Sequence, residues 1–214
     1  MEGTFYDEKY FDWQKHIGAF GGKANQIQFL ELIDRDGLKV LDFGCGGGFL
    51  ISSFEKNIDR YGVEINDVAR ASAEAKGVKC FKRSSDLPAE TFDLIISSNA
   101  LEHTENPLQE LKNLRNSLVS GGKICVVVPL DNKTVAYKEN NKDYHLFSWS
   151  PMNLGNLLDC AGFGVLESSP FVHKWVPKYT LFVKLFGWKA FHLASRIYGR
   201  LERSWCQVRA VGIK

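Results

Sequence analysis

Two carboxylates, a run of glycines and two histidines are the residues of this chain whose types and spacing could do chemistry. Asp42 stands in "VLDFGCGGGFL", two residues before Gly44, where four glycines and Cys45 fill five positions. So much glycine lets a backbone turn sharply and approach a ligand closely. Glu64 follows Gly44 by 20 residues, a spacing at which an acidic side chain in an α/β sheet accepts hydrogen bonds from ribose hydroxyls. A carboxylate at position 42 would repel a pyrophosphate and attract a positive charge. Together these groups describe a site for a nucleoside with a cationic tail. His103, in "NALEHTENP", and His145, in "DYHLFSW", are of the residue type whose side chain can take a proton from an acceptor at cellular pH. The plainer reading is that His103 packs the start of a helix and His145 anchors a loop.

Two phosphate-binding patterns fit less well. A dinucleotide turn reads G-x-G-x-x-G, and here the third glycine falls on Phe49. A P-loop needs a lysine after its last glycine, and none is present in this stretch.

The elements that must position these residues alternate between strand and helix. Apolar residues at helical spacing predict a helix over Lys23 to Arg35, closed by Asp36-Gly37. Strands are expected at Leu38 to Phe43, Arg60 to Glu64, Val78 to Lys82, Phe92 to Ser98 and Ile124 to Pro129. Helices are expected at Phe49 to Lys56, Asp67 to Lys76 and Pro107 to Val119. Such alternation means an open, mostly parallel sheet with helices on both faces, and ligands bind at the carboxyl ends of its strands. A long connection from Leu130 to Trp149 follows, then a helix from Met152 to Cys160 and a sixth strand in "AGFGVLESSPF". Val176 to Leu201 reads as two short aromatic, basic helices broken at Gly187, and "CQVRAVGIK" alternates like a seventh strand. If the sixth strand is parallel and the seventh antiparallel, whatever is inserted between them lies over the mouth of the site.

The 214 residues suffice for one well-buried domain. The net charge of +2 hides an asymmetry: Met1 to Pro170 holds 18 Lys+Arg and 24 Asp+Glu, whereas Phe171 to Lys214 holds 9 and 1. That split suggests an anionic acceptor or membrane surface near the C-terminal part. The five cysteines form no C-x-x-C pair, which argues against a zinc cluster or disulfide framework and predicts a cytoplasmic protein with no metal. The charged, aromatic start carries no signal-peptide pattern.

"VLDFGCGGGFL", followed by "YGVEIN", "SSDLPAETFDLIISSNALEH" and "GGKICVVVP", resembles the class I S-adenosylmethionine-dependent methyltransferases, nearest the group that includes the ubiquinone-pathway O-methyltransferases. The resemblance covers Lys39 to Phe163, and "HLFSWSPMNLGNLLDCAGF" resembles the segment after the fifth strand in that group. It implies an α/β fold: one Rossmann-like, doubly wound sheet of seven strands in the order 3-2-1-4-5-7-6, with strand 7 antiparallel. One domain over residues 1–214 would comprise an N-terminal lid and helix (1–36), a donor-binding core (37–170), a basic aromatic cap (171–203) and a last strand (204–214).

The resemblance also implies an enzyme that uses S-adenosyl-L-methionine and releases S-adenosyl-L-homocysteine. Asp42 would help hold the methionine ammonium through water, and Gly44, Cys45, Gly46 and Gly48 would bring backbone to the amino-acid and ribose parts. Glu64 would bind the ribose hydroxyls and Ile65 the adenine face. Ser85, Asp86 and Leu87 would edge the adenine, and Asn99 and Leu101 would line the methionine side. The acceptor is expected to be a small molecule, methylated on oxygen or nitrogen and anionic or amphipathic, with His103 and His145 as candidate bases. The adenine-methylating pattern N/D-P-P-Y/W is absent, since Asn99-Ala100-Leu101-Glu102 stands there; no specific nucleic acid is expected. The alternatives are a nicotinamide-dependent oxidoreductase and a non-catalytic donor-binding partner subunit.

Overall fold

The computed structural model describes residues 8–130, 136–139, 144–202 and 206–214. Its sheet comprises β1 (Lys39–Phe43), β2 (Asp59–Val63), β3 (Lys79–Phe81), β4 (Phe92–Ser98), β5 (Leu118–Pro129), β6 (Gly164–Phe171) and β7 (Gln207–Ile213). The strand order is β3-β2-β1-β4-β5-β7-β6, as expected. Strands β1 to β5 run parallel, and β7 runs antiparallel to both β5 and β6. The carboxyl ends of the parallel strands therefore share one edge.

Side-chain alternation along the strands fills two cores. Leu41, Phe43, Ile124, Val126 and Val128 belong to one face, and Val40, Cys125 and Val127 to the other, as the two-residue period of a strand requires. Helices α1 (Glu8–Asn25), α2 (Asp67–Glu74), α3 (Pro107–Ser117), α4 (Pro151–Cys160) and α5 (Tyr179–Glu202) surround the sheet. Their starts are encoded locally. The Asn66 side chain accepts from the Val68 and Ala69 amides at the head of α2, and Ser150 forms a capping box with Asn153 before Pro151.

Three expected helices differ. Instead of a helix over 23–35, α1 ends at Asn25, and short 3-10 turns follow at Gln26–Gln28 and Leu30–Leu32. The Gln28 carbonyl, which a helix would give to the residue 32 amide, accepts instead from Arg209 Nε at 2.8 Å. The expected helix over 49–56 is only a 3-10 turn, Ile51–Ser53. The Arg60 guanidinium takes the carbonyls of Ile51 and Phe54 at 3.2 and 2.9 Å, so the arginine replaces the bonds of a longer helix. The helix expected to reach Val119 stops at Ser117, because Leu118 already pairs with Phe92 at the start of β5. The break expected at Gly187 is present: its φ of 77° and ψ of 173° divide α5 into two arms, a conformation open to glycine and strained for other residues. Among the described residues no helix is long and apolar enough to cross a membrane. The first seven residues of the expected lid and parts of the 130–149 connection lie outside the described residues.

Candidate donor and acceptor site

Asp42 lies near the carboxyl end of β1, with Gly62 and Ile96 as its register partners on β2 and β4. It is 1% exposed, and its Oδ2 has no hydrogen-bond partner among the described residues. Burial, together with the neighbouring Glu64 charge, pushes its pKa up to about 7. A buried carboxylate oxygen without a partner is costly. A cationic ligand group would satisfy it, so this site fits an ammonium.

The glycine turn follows at once. Gly44, Gly46 and Gly48 have φ of 76°, 51° and 74°, which other residues adopt only with strain. A Cβ on Gly44 would sit 2.3 Å from the Ala100 Cβ, and one on Gly48 3.0 Å from Ala73. The Cys45 side chain turns under the sheet against Gly62. A hydrogen bond with Cys80, then burial, raises its thiol pKa well above the ordinary range, which leaves its backbone as the part available to a ligand. The Gly46 amide donates to Glu64 Oε2 at 2.9 Å, and the Asn66 amide to Glu64 Oε1 at 2.8 Å. These bonds clamp the half-buried Glu64 carboxylate beside the turn. Each oxygen retains acceptor capacity for a hydroxyl. Burial raises the Glu64 pKa, and the amide bonds oppose that rise.

Ile65 is 50% exposed beyond β2, open to stack on a flat ligand. Ser85 and Asp86 are exposed in a 3-10 turn after β3. There Ser85 Oγ donates to Asp86 Oδ1, and the Arg83 amide donates to Asp86 Oδ2. Leu87 is partly buried against the first core. Leu101 is fully buried in that core, which leaves only its backbone for a ligand.

Asn99 sits just past β4 with φ of 52°, held by a closed ring of side-chain hydrogen bonds. Gln207 Nε2 donates to Asn99 Oδ1 at 3.0 Å. Asn99 Nδ2 donates to Ser98 Oγ at 3.4 Å. Ser98 Oγ donates to Gln28 Oε1 at 3.1 Å, and Gln28 Nε2 donates to Gln207 Oε1 at 3.2 Å. The ring ties β4, the turn after α1 and the start of β7 together. A cavity of about 250 Å³ opens beside it, lined by Asn25, Asn99, His173, Lys174, Trp175 and Gln207. His173 is buried, with its Nε2 3.0 Å from His192 Nδ1. Burial and the nearby His192 lower the His173 pKa to about 4, so this imidazole is neutral at cellular pH, beside the Lys174 that also lines the cavity. Sequence reasoning missed Gln28, Gln207 and His173, because amides and a lone histidine on separate elements leave no motif.

His103 and His145 come together, with ring centroids 5.1 Å apart. Glu102, fully buried, brings Oε1 to 3.9 Å from His103 Nε2. Ligand atoms of the three lie within 4.8 Å of one another, a spacing at which a divalent cation could also bridge them. The sequence signal for Glu102 was its place directly before His103.

Residues 18–168 match the family model described as a methyltransferase domain. A ubiquinone biosynthesis O-methyltransferase of Ruegeria sp. is 32% identical over 162 residues, covering 64% of this chain and 64% of that protein. The chain spans less than two thirds of the length of the curated relatives it matches first. A chain in the complex of the Haloferax volcanii Trm112 methyltransferase activator with a methyltransferase superposes with a TM-score of 0.69 at 18% identity, covering 98% of this chain and 99% of that one. Haemonchus contortus phosphoethanolamine N-methyltransferase 2, solved with phosphomonomethylethanolamine and S-adenosylhomocysteine, gives 0.64 at 12% identity over 99% of this chain and 60% of that one. The family match displaces the nicotinamide alternative. The chain belongs to the methyltransferase-domain family, the class I S-adenosylmethionine-dependent methyltransferases.

Proposed function

We propose that the protein moves a methyl group from S-adenosylmethionine to oxygen or nitrogen of a small-molecule acceptor. The observation that carries this reading is the buried, unpartnered Oδ2 of Asp42 beside the turn that Glu64 clamps. The donor supplies an activated methyl group. Asp42 would hold its ammonium and Glu64 its ribose hydroxyls. Ile65, Ser85, Asp86 and Leu87 would border its adenine, and Asn99 with the Leu101 backbone its methionine part. Holding two reactants in line and excluding water can contribute about 7–11 kcal/mol to such a step.

The cavity beside Asn99 is the proposed acceptor site. Its amides and neutral His173 suit a hydroxyl, and Lys174 on the same wall, paired with Glu202, adds a cation beside it. His103 and His145 are not among the residues lining that cavity, so they are the proposed bases for an acceptor that extends from it to them, a role that typically contributes about 10²–10⁴-fold. The basic α5 beyond the cavity supports an anionic or amphipathic acceptor. Among the curated relatives are a ubiquinone biosynthesis O-methyltransferase and a phosphoethanolamine N-methyltransferase, so phenols and phosphoamines are the first acceptors to test. Release of S-adenosylhomocysteine on adding one of them is the expected result. Tight donor binding with no turnover across a broad panel of hydroxyl and amine acceptors would instead mark a donor-binding partner subunit.

A further inference from the structure

Helix α5 presents two faces of opposite character. On its second arm Phe191, Ser195 and Gly199 are buried. A Cβ on Gly199 would lie 2.7 Å from Val172, and the Lys174 amide bonds the Ser195 carbonyl, so this face is seated on the segment after β6. Two residues further along each time, Leu193, Ile197 and Leu201 point the other way and are 62%, 50% and 78% exposed. The first arm repeats the pattern with Leu181, Leu185 and Phe186, each more than half exposed. So much aliphatic surface on a water-facing helix marks a contact site.

The cations on the same helix say what covers it. Arg196 and Arg200, one turn apart, line a groove of about 340 Å³ with Pro170, Phe171 and Val172. Neither arginine forms an ion pair among the described residues. Lys184 and Lys189 flank the exposed leucines, and the one acid of the helix, Glu202, is paired with Lys174. A second copy of the chain seated by a two-fold axis would set these cations against themselves. A nucleic acid would satisfy the arginines and leave the leucines in water. A surface with fixed phosphates above an apolar interior satisfies both, which is the arrangement of an interfacial amphipathic helix.

We propose that α5 docks on an anionic bilayer, with Leu193, Ile197 and Leu201 entering the acyl boundary and Arg196 and Arg200 holding lipid phosphates. The docking is independent of the methyl-transfer reading. Its test is co-sedimentation of the full chain with phosphatidylcholine vesicles, and with vesicles of equal parts phosphatidylcholine and phosphatidylglycerol. The chain is expected to pellet with the second and stay in solution with the first. The double variant Arg196→Ala/Arg200→Ala should weaken binding about thirtyfold at low salt, at about 1 kcal/mol per cation near the surface. Leu193→Ser/Ile197→Ser should weaken it with the salt dependence retained. Both pairs are exposed, so an unchanged melting temperature confirms that the variants fold. Equal binding to both vesicles, binding to neither, or variants that bind like the parent would overturn the proposal. So would a wild-type dimer in vesicle-free solution that Leu193→Ser dissociates, since the leucine face would then be a subunit interface.

Discussion

Gln207 and Asn99 are 108 residues apart in sequence and share a 3.0 Å hydrogen bond at the edge of the proposed acceptor cavity. Gln207 opens β7, and Asn99 follows β4, so the bond connects the end of the chain to the middle of the sheet. Gln207 also accepts from Gln28, and both glutamines are buried. Gln207→Ala would leave buried amide groups unsatisfied, at about 1–3 kcal/mol. The acceptor KM should rise about tenfold or more, and donor affinity should fall by less than that, since Gln207 reaches the proposed donor site only through Asn99 and Asp42 and Glu64 are untouched. Steady-state kinetics alongside a donor titration check this.

His103 and His145 meet beside buried Glu102. If either histidine takes the acceptor proton, changing it to Ala should lower turnover on a hydroxyl acceptor by about 10²–10⁴-fold, with donor binding retained. Full turnover in a variant removes that residue from the mechanism. The same three side chains could also bridge a cation, so a chelator separates the two roles. The base role predicts that EDTA leaves turnover unchanged. Loss of activity restored by an added divalent ion would reassign the cluster to a metal.

Helix α1 rests on the glycine turn through Gly22. A Cβ there would sit 2.3 Å from the Phe49 carbonyl oxygen, a backbone atom that cannot swing away. Gly22→Ala should therefore push α1 off the loop, costing about 1–3 kcal/mol as an overpacking change. A melting temperature lowered by several degrees, together with weaker donor binding, is the expected outcome.

The positions of the parallel strands were legible because each is a short apolar run bounded by turns, whereas their order followed only from the family resemblance. The meeting of Asp42, the glycine turn and Glu64 at the proposed donor site was legible because they fall at fixed distances along one strand-turn-strand unit. The replacement of the expected helix over 49–56 by a short 3-10 turn was not, because Arg60 takes the carbonyls that would have continued it, a tertiary event with no local signal. The same holds for Gln28, whose carbonyl bonds Arg209 from the far end of the chain. The cavity proposed for the acceptor was illegible for the same reason: its residues come from the end of α1, the end of β4, the segment after β6 and the start of β7. The exposure of Leu193, Ile197 and Leu201 depends on which face of α5 packs, and helical spacing alone leaves that choice open.

Asp42 gives the protein a pH dependence of known sign. Its folded pKa is raised from 3.8 to about 7, so its contribution to stability is present below the unfolded value and is lost as pH rises through about 7. Asp42→Asn should remove that loss, and the apo variant should melt higher than the parent above about pH 7. Thermal melts of both proteins between about pH 5 and pH 8 check this.

The ammonium of a bound donor favours the ionised form of Asp42, so donor binding below about pH 7 must release a proton. Calorimetric titration with S-adenosylmethionine tests the account most directly, on the parent chain, Asp42→Asn and Glu64→Ala. The predicted result for the parent is an affinity roughly tenfold weaker near pH 6 than near pH 7.5, with a proton released to buffer. Asp42→Asn should bind more weakly, with that proton release gone, and Glu64→Ala should bind at least about tenfold more weakly than the parent. Affinities in both variants equal to that of the parent would contradict the account.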